Sequence, residues 1–361
     1  MTESVDMLRS APLLIYGARL AGCSVQRYLE AQNIEVTAFL DRDAAKLPSV
    51  NGISVFTAEH WAQHHDPQSV RVIIGLFNSY VDQAALVEHL RDLGYSQILS
   101  LVDFVRLFPE GQPFRYWLVD PRFYEVNAER LAAVRADLAD EGSRELLDHI
   151  VSFRTGAGHW YLPEPTPQQY FPADIPSWPA PLRLIDCGAY TGDTVQTLHA
   201  AGYLFEALAT FEPGLDSYGQ LVGNLRNMVG IHFPCGVSDS NRLSGFDPVS
   251  GTDGHLLDSG GEPVFCVRLD DALPGFAPNL IKMDIEGEEL AALRGAEKLL
   301  RRYRPCLAIS VYHRAEDLWS IHEYLQGLEL GYRFYLRSHA RSTFETVLYA
   351  IAGERSGGGV S

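Results

Sequence analysis

Residues 184–193 read LIDCGAYTGD and carry the clearest structural signal in the chain. An apolar run ends in the carboxylate Asp186, and Gly188 and Gly192 then flank a tight turn. Asp193 follows and suits the first turn of a helix, where negative charge is favourable. A strand that passes through such a turn into a helix opens a parallel βαβ unit. The pattern therefore predicts an α/β fold with a ligand close to this turn, because glycine leaves room for close approach.

The charges beside this turn indicate which ligand it suits. A dinucleotide loop needs G-x-G-x-x-G and a bare helix N-terminus that faces the pyrophosphate. This loop instead has G-x-x-x-G with an acid on either side, Asp186 and Asp193. Acids oppose a phosphate but suit a ligand that carries an ammonium and a sulfonium group. S-adenosylmethionine therefore fits the loop better than NAD.

Two more segments place acids at the same predicted sheet edge. Glu212 ends the next apolar run in the sequence FEP, where a carboxylate can accept hydrogen bonds from ribose hydroxyls. Residues 279–300 read NLIKMDIEGEELAALRGAEKLL, and a buried strand there presents Lys282, Asp284 and Glu286 at alternate positions, on one face. Three ionisable groups on one face are costly unless they serve a site or pair with each other. The structural alternative is an ion pair of Lys282 with Asp284 or Glu286.

The 361 residues are enough for two domains with separate cores. Composition is that of an ordinary folded protein, with 46% hydrophobic and 21% charged residues. The formal net charge of −17 would repel a polyanion, so we expect no nucleic-acid partner. No apolar run reaches the roughly 18 residues of a membrane span, and the acidic start does not resemble a signal peptide, so we expect a cytoplasmic protein. The five scattered cysteines are expected to be reduced and mostly buried.

The order of apolar runs predicts two doubly wound Rossmann-like domains of the α/β class. Residues 12–105 alternate strands and helices, with strands at 13–16, 36–40, 70–76 and 98–102. Residues 119–155 have helical spacing, and residues 162–181 contain seven prolines with aromatic side chains that we expect to be packed. The last two runs, 333–336 and 346–351, predict an antiparallel hairpin at the sheet edge. Our boundaries are an N-terminal domain at 1–110, a helical and proline-rich connector at 111–181, a second domain at 182–352, and a disordered tail at 353–361.

Five segments in this order resemble the FkbM family of S-adenosylmethionine-dependent O-methyltransferases. They are LIDCGAYTGDT, FEP, IKMDIEGEELAALRGAEKLL, the 305–313 strand and ETVLYAI, within about residues 165–352. Tyr190 occupies the position of a middle glycine found in other methyltransferases, and the FkbM-type loop usually lacks that glycine too. The resemblance implies a class I methyltransferase sheet that methylates a hydroxyl of a carbohydrate or polyketide-like metabolite. A sugar is favoured, because an additional Rossmann-like domain would suit a nucleotide-linked donor.

The resemblance also implies roles for single residues. The loop residues Asp186, Gly188, Ala189 and Gly192 would hold the methionine end of the cofactor, and Glu212 would accept hydrogen bonds from the ribose hydroxyls. Ser238 and Asp239 in the CGVSD segment would lie near the adenine, and Tyr170 in the QYF element would close over the cofactor.

The acceptor hydroxyl must lose a proton, and a well-placed base contributes roughly 10²–10⁴ in rate. The candidates are Asp284, Glu286, His313 and His339, and His313 follows the next strand in the sequence SVYHRAED, with Glu316 at the same edge. We favour His313 as the base because an ordinary imidazole, with a pKa of about 6.5, is mostly neutral at pH 7. The alternative is a divalent metal held by Asp284, Glu286 and His313.

The first domain keeps part of a dinucleotide motif. The segment GARLAG has Gly17 and Gly22, but Arg19 replaces the middle glycine and blocks close approach of a pyrophosphate. Asp41 lies at the usual interval for a ribose-binding acid. Three alternatives follow: an NAD-dependent nucleotide-sugar dehydrogenase or epimerase, a module that docks on a glycan-assembly complex, and a surface for homo-oligomers or for substrate presentation. The acid-rich segment 247–258 does not match the spacing of a calcium loop.

Overall fold

A computed structural model describes residues 2–111, 113–156, 160–247, 255–257 and 260–353. The chain divides into two compact units, each assembled from separate stretches of sequence. The N-terminal unit comprises Met1–Glu129, Leu146–Glu164 and Ala340–Phe344, and the C-terminal unit comprises Arg130–Glu145, Pro165–His339 and Glu345–Ser361. The predicted tail after Gly353 and most of the acid-rich segment 247–258 lie outside the described residues.

The N-terminal unit contains a six-stranded sheet in the order β3-β4-β2-β1-β5-β6, parallel except for the β3-β4 pair. Strands β1, β2 and β5 are almost wholly buried, which explains their continuous apolar runs. The strands are β1 (Leu13–Tyr16), β2 (Ala38–Leu40), β3 (Ser49–Val50), β4 (Ile53–Phe56), β5 (Arg71–Ile74) and β6 (Gln97–Leu99). The helices are α1 (Thr2–Arg9), α2 (Leu20–Ala31), α3 (Ala58–His64), α4 (Gln83–Asp92), α5 (Leu101–Leu107) and α6 (Arg122–Val126), with a 3₁₀ turn at Pro67–Ser69. Helices α7 (Ala128–Asp137) and α8 (Glu141–Arg154) have residues in both units.

The predicted strand at 98–102 is wrong at its end, because a helix begins at Leu101. Ser100 caps that helix: its Oγ accepts from the Asp103 backbone N–H at 2.9 Å, and Asp103 Oδ2 accepts from the Ser100 N–H at 2.8 Å. This reciprocal pair satisfies two backbone donors that would otherwise lack partners. The capping residues, and not the apolar run, therefore determine the local structure. Strands β3 and β4 were not predicted.

The C-terminal unit contains a seven-stranded sheet in the order β16-β17-β15-β14-β7-β8-β9. Its strands are parallel, except that β17 is antiparallel to both β15 and β16. The predicted α/β class with an antiparallel edge hairpin is confirmed. The main-sheet strands are β7 (Leu182–Cys187), β8 (Phe205–Phe211), β9 (Ile231–Phe233), β14 (Leu280–Met283), β15 (Cys306–Ser310), β16 (Tyr332–Ser338) and β17 (Thr346–Ala352). The helices are α9 (Asp193–Ala200), α10 (Leu215–Asn224), α11 (Leu269–Ala272), α12 (Glu289–Gly295), α13 (Glu297–Tyr303) and α14 (Asp317–Gly327).

A second sheet of four strands, in the order β10-β13-β11-β12, was not predicted. Its strands are β10 (Gly236–Val237), β11 (Arg242–Asp247), β12 (His255–Leu257) and β13 (Glu262–Val267). The stretch 231–237, whose sequence pattern resembles a single strand, forms two strands in different sheets. Pro234 lies between them, and proline has no backbone N–H to continue a ladder.

Two predictions about the whole chain can be compared with the described residues. All five cysteines are free, and four of them are buried, as predicted. Among the helices that the structure describes, none combines the length and apolar character needed to cross a bilayer.

Candidate active site

Four parallel strands of the C-terminal unit end at one edge of the main sheet. Strands β8, β7, β14 and β15 are neighbours in that order. Asp186 lies in β7, Glu212 directly follows β8, Asp284 follows β14, and His313 lies three residues beyond β15. In open α/β sheets, ligands bind outside the carboxyl ends of the strands. The structure thus brings these predicted residues to the edge where a ligand binds.

Asp186 and Lys282 form a buried ion pair across two neighbouring strands. They are partners in the β7-β14 register, and Lys282 Nζ lies 3.1 Å from Asp186 Oδ1 and 2.6 Å from the Gly188 carbonyl oxygen. Burial raises the pKa of Asp186 to about 6 although Lys282 opposes the rise. Burial lowers the pKa of Lys282, but the two acids Asp186 and Asp284 outweigh burial and raise it. Lys282 therefore pairs with Asp186 on the adjacent strand, whereas the structural alternative had placed its partner, Asp284 or Glu286, along its own strand.

The loop after β7 is shaped by contact with the end of β14. A Cβ atom on Gly188, whose φ is +73°, would lie 1.9 Å from the Asp284 carbonyl oxygen. The backbone N–H groups of Gly188 and Ala189 both donate to the Phe211 carbonyl oxygen at 3.0 Å. Gly192 has a φ of +85° at the start of α9. Gly188 is therefore required by the approach of two loops, in addition to any approach of a ligand.

Glu212 is held by the backbone on either side of it. Its Oε2 accepts from the Tyr190 N–H at 2.9 Å, and its Oε1 accepts from the Gly214 N–H at 2.8 Å. Burial raises the pKa of Glu212 to about 7 despite these two bonds. Each carboxylate oxygen can accept more than one hydrogen bond. A fixed carboxylate of this kind suits a pair of neighbouring hydroxyls.

Tyr170 connects the proline-rich segment to the strand-end acids. Its hydroxyl donates to Asp284 Oδ2 at 2.8 Å, and Lys282 Nζ lies 5.2 Å from its ring centroid. The indole N–H of Trp178 donates to the Tyr170 carbonyl oxygen at 2.6 Å. Tyr170 and Trp178 belong to the core of the C-terminal unit, and Phe171 packs against it. The prediction that these aromatic residues are packed is confirmed.

His313 is enclosed by three carboxylates. Its Nδ1 lies 2.8 Å from Glu289 Oε1, and its Nε2 lies 3.4 Å from Asp284 Oδ1 and 3.5 Å from Glu286 Oε1. Burial lowers the pKa of His313, but Glu289 and Glu286 outweigh burial and raise it well above the usual range. This direction opposes the prediction that His313 is neutral at pH 7, because acids face both of its nitrogens. A protonated imidazole cannot accept a proton from a substrate.

Asp284 has the opposite electrostatic setting. Burial raises its pKa, but Lys282 and His313, followed by the Tyr170 hydroxyl, more than compensate and leave the pKa below its ordinary value. Its Oδ1 makes no hydrogen bond with any residue that the structure describes. Asp284 is thus held ionised, with Oδ2 bonded to the Tyr170 hydroxyl and the buried Oδ1 3.4 Å from His313 Nε2.

Glu289, which was not predicted, is the third member of the possible ligand set around His313. Single oxygen or nitrogen atoms of Asp284, Glu289 and His313 lie within 4.8 Å of one another, whereas the predicted set had Glu286 in place of Glu289. Glu289 also accepts from the Ile285 N–H at 2.8 Å and the Gly287 N–H at 3.0 Å. A metal-bound histidine is neutral and commonly donates its other ring N–H to a carboxylate. The same three residues therefore fit a charge network around a protonated His313 and also the ligand set of a divalent metal.

The protonation of His313 can be measured directly. We expect its imidazole to carry protons on both nitrogens at pH 7.5, because the three acids stabilise the cation. A group with a raised folded-state pKa stabilises the fold fully below its unfolded pKa of about 6.5, and this stabilisation is lost as pH rises through the folded-state pKa. Nitrogen-15 NMR of histidine-labelled protein reports the protonation state. A neutral tautomer at pH 7.5 would contradict the expectation.

Comparison with known proteins matches this site to a family model. Residues 186–334, which contain Asp186, Glu212, Asp284 and His313, match the family model described as the methyltransferase FkbM domain. The matched stretch, which is less than half of the chain, is called the FkbM domain. Among curated proteins, none matches the sequence.

Solved structures show the fold. The crystal structure of an FkbM methyltransferase from Methylobacillus flagellatus KT has 23% identity and a TM-score of 0.79, and the match covers 96% of this chain and 92% of that one. Aeropyrum pernix fibrillarin with natively bound S-adenosyl-L-methionine has 11% identity, a TM-score of 0.31, and coverage of 47% and 66%. Pyrococcus abyssi tRNA (uracil-54, C5)-methyltransferase in complex with S-adenosyl-L-homocysteine has 14% identity, a TM-score of 0.23, and coverage of 46% and 33%.

Ser238 and Asp239 lie at the end of β10, in the second sheet of the FkbM domain. Ser238 Oγ donates to Glu288 Oε2 at 2.9 Å and accepts from Arg242 Nη1 at 2.7 Å. Asp239 Oδ1 lies 3.4 Å from the same guanidinium nitrogen. Within the described part of the chain, no hydrogen bond connects this pair to Asp186 or Asp284. Their predicted place near the adenine stays a prediction.

His339 and Glu345 lie outside the segment that matches the FkbM model. His339 Nδ1 lies 2.7 Å from the Thr166 carbonyl oxygen and Nε2 lies 2.8 Å from the Tyr349 hydroxyl, while burial lowers its pKa to about 4. Both ring nitrogens of His339 therefore have partners, and neither partner is Asp284. Glu345, which was not predicted, accepts from Gln169 Nε2 at 2.7 Å and from the Tyr312 hydroxyl at 3.2 Å.

Burial, followed by the charge of Asp284, raises the pKa of Glu345 to about 7. Glu345 has a φ of +50° immediately before β17. Hydrophobic periodicity in the sequence does not distinguish an acid in a turn of this kind. Its only sequence signal was its place at the start of ETVLYAI, where its neighbours suggested a strand and gave the acid no role.

Proposed function

We propose that the C-terminal unit is an S-adenosylmethionine-dependent O-methyltransferase whose acceptor is a hydroxyl of a carbohydrate or polyketide-like small molecule. The observation that carries this proposal is the pair of buried acids, Asp186 and Glu212, at neighbouring strand ends of an FkbM domain. A sugar is the favoured methyl acceptor, because the chain also carries a Rossmann-like unit that would suit a sugar linked to a nucleotide.

The residues at this edge fit the cofactor. Asp186 Oδ2 is buried and has no hydrogen-bond partner among the described residues, so it can accept from the ammonium of the methionine moiety. Glu212 would accept from the ribose hydroxyls. We propose that Gly188, Ala189 and Gly192 in the loop contact the methionine end of the cofactor. Ser238 and Asp239 in the CGVSD segment would contact the adenine, and Tyr170 in the QYF element would lie over the cofactor. When bound, S-adenosylmethionine supplies an electrophilic methyl group on a sulfonium.

Asp284 is the proposed base. Its Oδ1, which lies 3.4 Å from His313 Nε2, would accept the proton of the acceptor hydroxyl as that oxygen takes the methyl group that the cofactor would supply, with the carbon–sulfur electron pair left on sulfur. The Tyr170 hydroxyl fixes the other carboxylate oxygen at 2.8 Å. His313 then acts as a positioning cation, with Glu286 and Glu289 around it. Positioning of two reactants contributes up to about 7–11 kcal/mol to such a displacement.

Glu212→Gln tests the cofactor site. We expect the affinity for S-adenosylmethionine to fall by about 10-fold or more, because hydrogen bonds to a charged group contribute roughly 1.5–3 kcal/mol. Isothermal titration calorimetry measures the change. Glu206→Gln is a matched control, because this acid is on the same strand but is exposed and paired with Arg183. Equal affinities of wild type and Glu212→Gln would refute the assignment.

A further inference from the structure

The turn at residues 168–171, which carries Tyr170, has an unfavourable backbone conformation. Gln168 has a φ of +62° and Tyr170 a φ of +71°, in the left-handed region that favours glycine. The Phe171 N–H donates to the Gln168 carbonyl oxygen at 3.1 Å and closes the turn. Residues other than glycine persist in this region where the surrounding structure holds them, and they concentrate at functional sites. Contacts from other elements must therefore hold this turn.

Each polar group of Tyr170 has a partner elsewhere in the C-terminal unit. Its backbone N–H donates to the Tyr349 hydroxyl at 3.1 Å, and its carbonyl oxygen accepts from the Trp178 indole N–H. Its own hydroxyl donates to Asp284 Oδ2 at 2.8 Å. Tyr349 lies in β17, whereas Asp284 follows β14. The position of the Tyr170 hydroxyl at Asp284 therefore depends on how the turn is held against β17.

Glu345, directly before β17, holds the neighbouring residue of the same turn. Its Oε2 accepts from Gln169 Nε2 at 2.7 Å, and its Oε1 accepts from the Tyr312 hydroxyl at 3.2 Å. Tyr312 lies two residues after β15, which is the neighbour of β17 in the sheet. Two side chains therefore support adjacent residues of the turn: Glu345 contacts the Gln169 side chain, and Tyr349 contacts the Tyr170 backbone.

The contacts of Glu345 suit positioning and not proton transfer. Each of its carboxylate oxygens already accepts a hydrogen bond from a side chain. Burial, followed by the charge of Asp284, raises the pKa of Glu345 to about 7, so the surroundings give its ionised form no net stabilisation. What Glu345 contributes is therefore its pair of hydrogen bonds, one of which reaches the turn.

We propose that Glu345 is a positioning residue for methyl transfer, which holds the turn at 168–171 through Gln169 so that the Tyr170 hydroxyl reaches Asp284. This inference rests on the proposed function, in which Asp284 is the base. When the bond to Gln169 is removed, the strained turn relaxes and Tyr170 moves away from Asp284 Oδ2. The carboxylate can then rotate, and its Oδ1 no longer keeps a fixed direction toward the acceptor hydroxyl.

The position of Tyr170 can be followed without any ligand. Carbon-13 NMR of protein labelled at the tyrosine Cζ reports hydrogen bonding of the hydroxyl groups, and Tyr170→Phe assigns the resonance of Tyr170. We expect that resonance to shift in Gln169→Leu and in Glu345→Leu, because each variant removes the bond between the two side chains. It should return to its wild-type position in Glu345→Gln, whose amide oxygen can still accept from Gln169 Nε2.

Glu329→Leu is the matched control for Glu345→Leu. Glu329 also has a positive φ, +54°, and lies three residues before β16, but it is exposed. This control should leave the Tyr170 resonance and the turnover number at their wild-type values.

Turnover gives the second readout, with labelled S-adenosylmethionine and with glucose, rhamnose and UDP-glucose as acceptors. We expect Gln169→Leu and Glu345→Leu to lower the turnover number by about 10-fold to 100-fold, because small misplacements of reacting groups have effects of this size. Glu345→Gln should recover most of the loss. A double-mutant cycle separates positioning from general destabilisation: added to Tyr170→Phe, Glu345→Leu should lower turnover by less than about 2-fold further, because the hydroxyl through which it acts is already absent.

Two results would overturn the proposal. One is an unchanged Tyr170 resonance in Gln169→Leu and Glu345→Leu, each with an intact thermal unfolding transition. The other is an equal fold-loss when Glu345→Leu is added to wild type and to Tyr170→Phe, which would show that Glu345 acts on the fold as a whole. If Glu345→Leu does not fold, Gln169→Leu takes its place in the cycle. Failure of the wild type to bind S-adenosylmethionine in calorimetry would refute the proposed function, whereas the resonance would still decide whether Glu345 holds Tyr170.

Discussion

Asp284→Asn is expected to lower the turnover number for methyl transfer by roughly 10²–10⁴, the contribution of a well-placed base. The amide keeps the shape of the side chain and accepts the Tyr170 hydrogen bond, but it cannot take up the acceptor's proton. The affinity for S-adenosylmethionine should stay close to that of wild type. Transfer of labelled methyl groups to a panel of sugars and nucleotide-linked sugars gives the rate, and calorimetry gives the affinity.

Asp216→Asn serves as the control for this variant, because that acid is exposed in the first turn of α10. Wild-type turnover in Asp284→Asn would show that the base is elsewhere. A chelator distinguishes the metal alternative: we expect full activity after treatment with EDTA. Loss of activity that magnesium restores would instead assign Asp284, Glu289 and His313 to a metal.

Lys282→Met is expected to lower the free energy of unfolding by about 3–5 kcal/mol, the usual cost of removing one partner of a buried ion pair. Asp186, which is fully buried, would lose the ammonium that lies 3.1 Å from its Oδ1. Urea unfolding followed by circular dichroism measures the change. Arg301→Met is the comparison, because it removes an exposed ion pair with Glu297 and should cost less than about 1 kcal/mol.

The decrease in the free energy of unfolding of Lys282→Met should depend on pH. Burial already raises the pKa of Asp186 to about 6, so the carboxylate without its lysine will be protonated more readily. A raised carboxyl pKa makes the ionised form unfavourable in the folded state, so this destabilisation is present above the folded-state pKa and is relieved as pH falls through it. The free energy of unfolding of the variant should therefore fall less, relative to wild type, at pH 5 than at pH 8. Addition of Asp186→Asn should recover part of the stability at pH 8, and an equal loss at both pH values would contradict this account.

The positions of Asp186, Glu212, Asp284 and His313 were predictable from sequence. Each follows or ends an apolar run, and parallel strands end at one edge of a sheet, so alternating patterns suffice to bring such residues together. The partner of Lys282 was not predictable, because it depends on the register between β7 and β14. Pairing between strands distant in sequence leaves no local pattern.

The raised pKa of His313 was also not predictable from the sequence. It depends on Glu289, which reaches the imidazole because Glu286 and Gly287 adopt φ values of +58° and +103° before α12. In the sequence, this acid is one of several at a helix start, where acids are common for unrelated reasons. Glu345 was missed for a similar reason, since it lies in a turn next to a strand whose other residues are apolar.

The five residues Ala340–Phe344 lie between β16 and β17 but belong to the N-terminal unit. Within that unit, Arg341 is 3.3 Å from Asp82, and the Ser342 hydroxyl accepts from Gln83 at 3.2 Å. Protein synthesis proceeds from the N-terminus, so the ribosome must translate most of the C-terminal unit before the N-terminal unit has all of its parts. A nascent chain stalled before residue 340 therefore cannot contain a finished N-terminal unit.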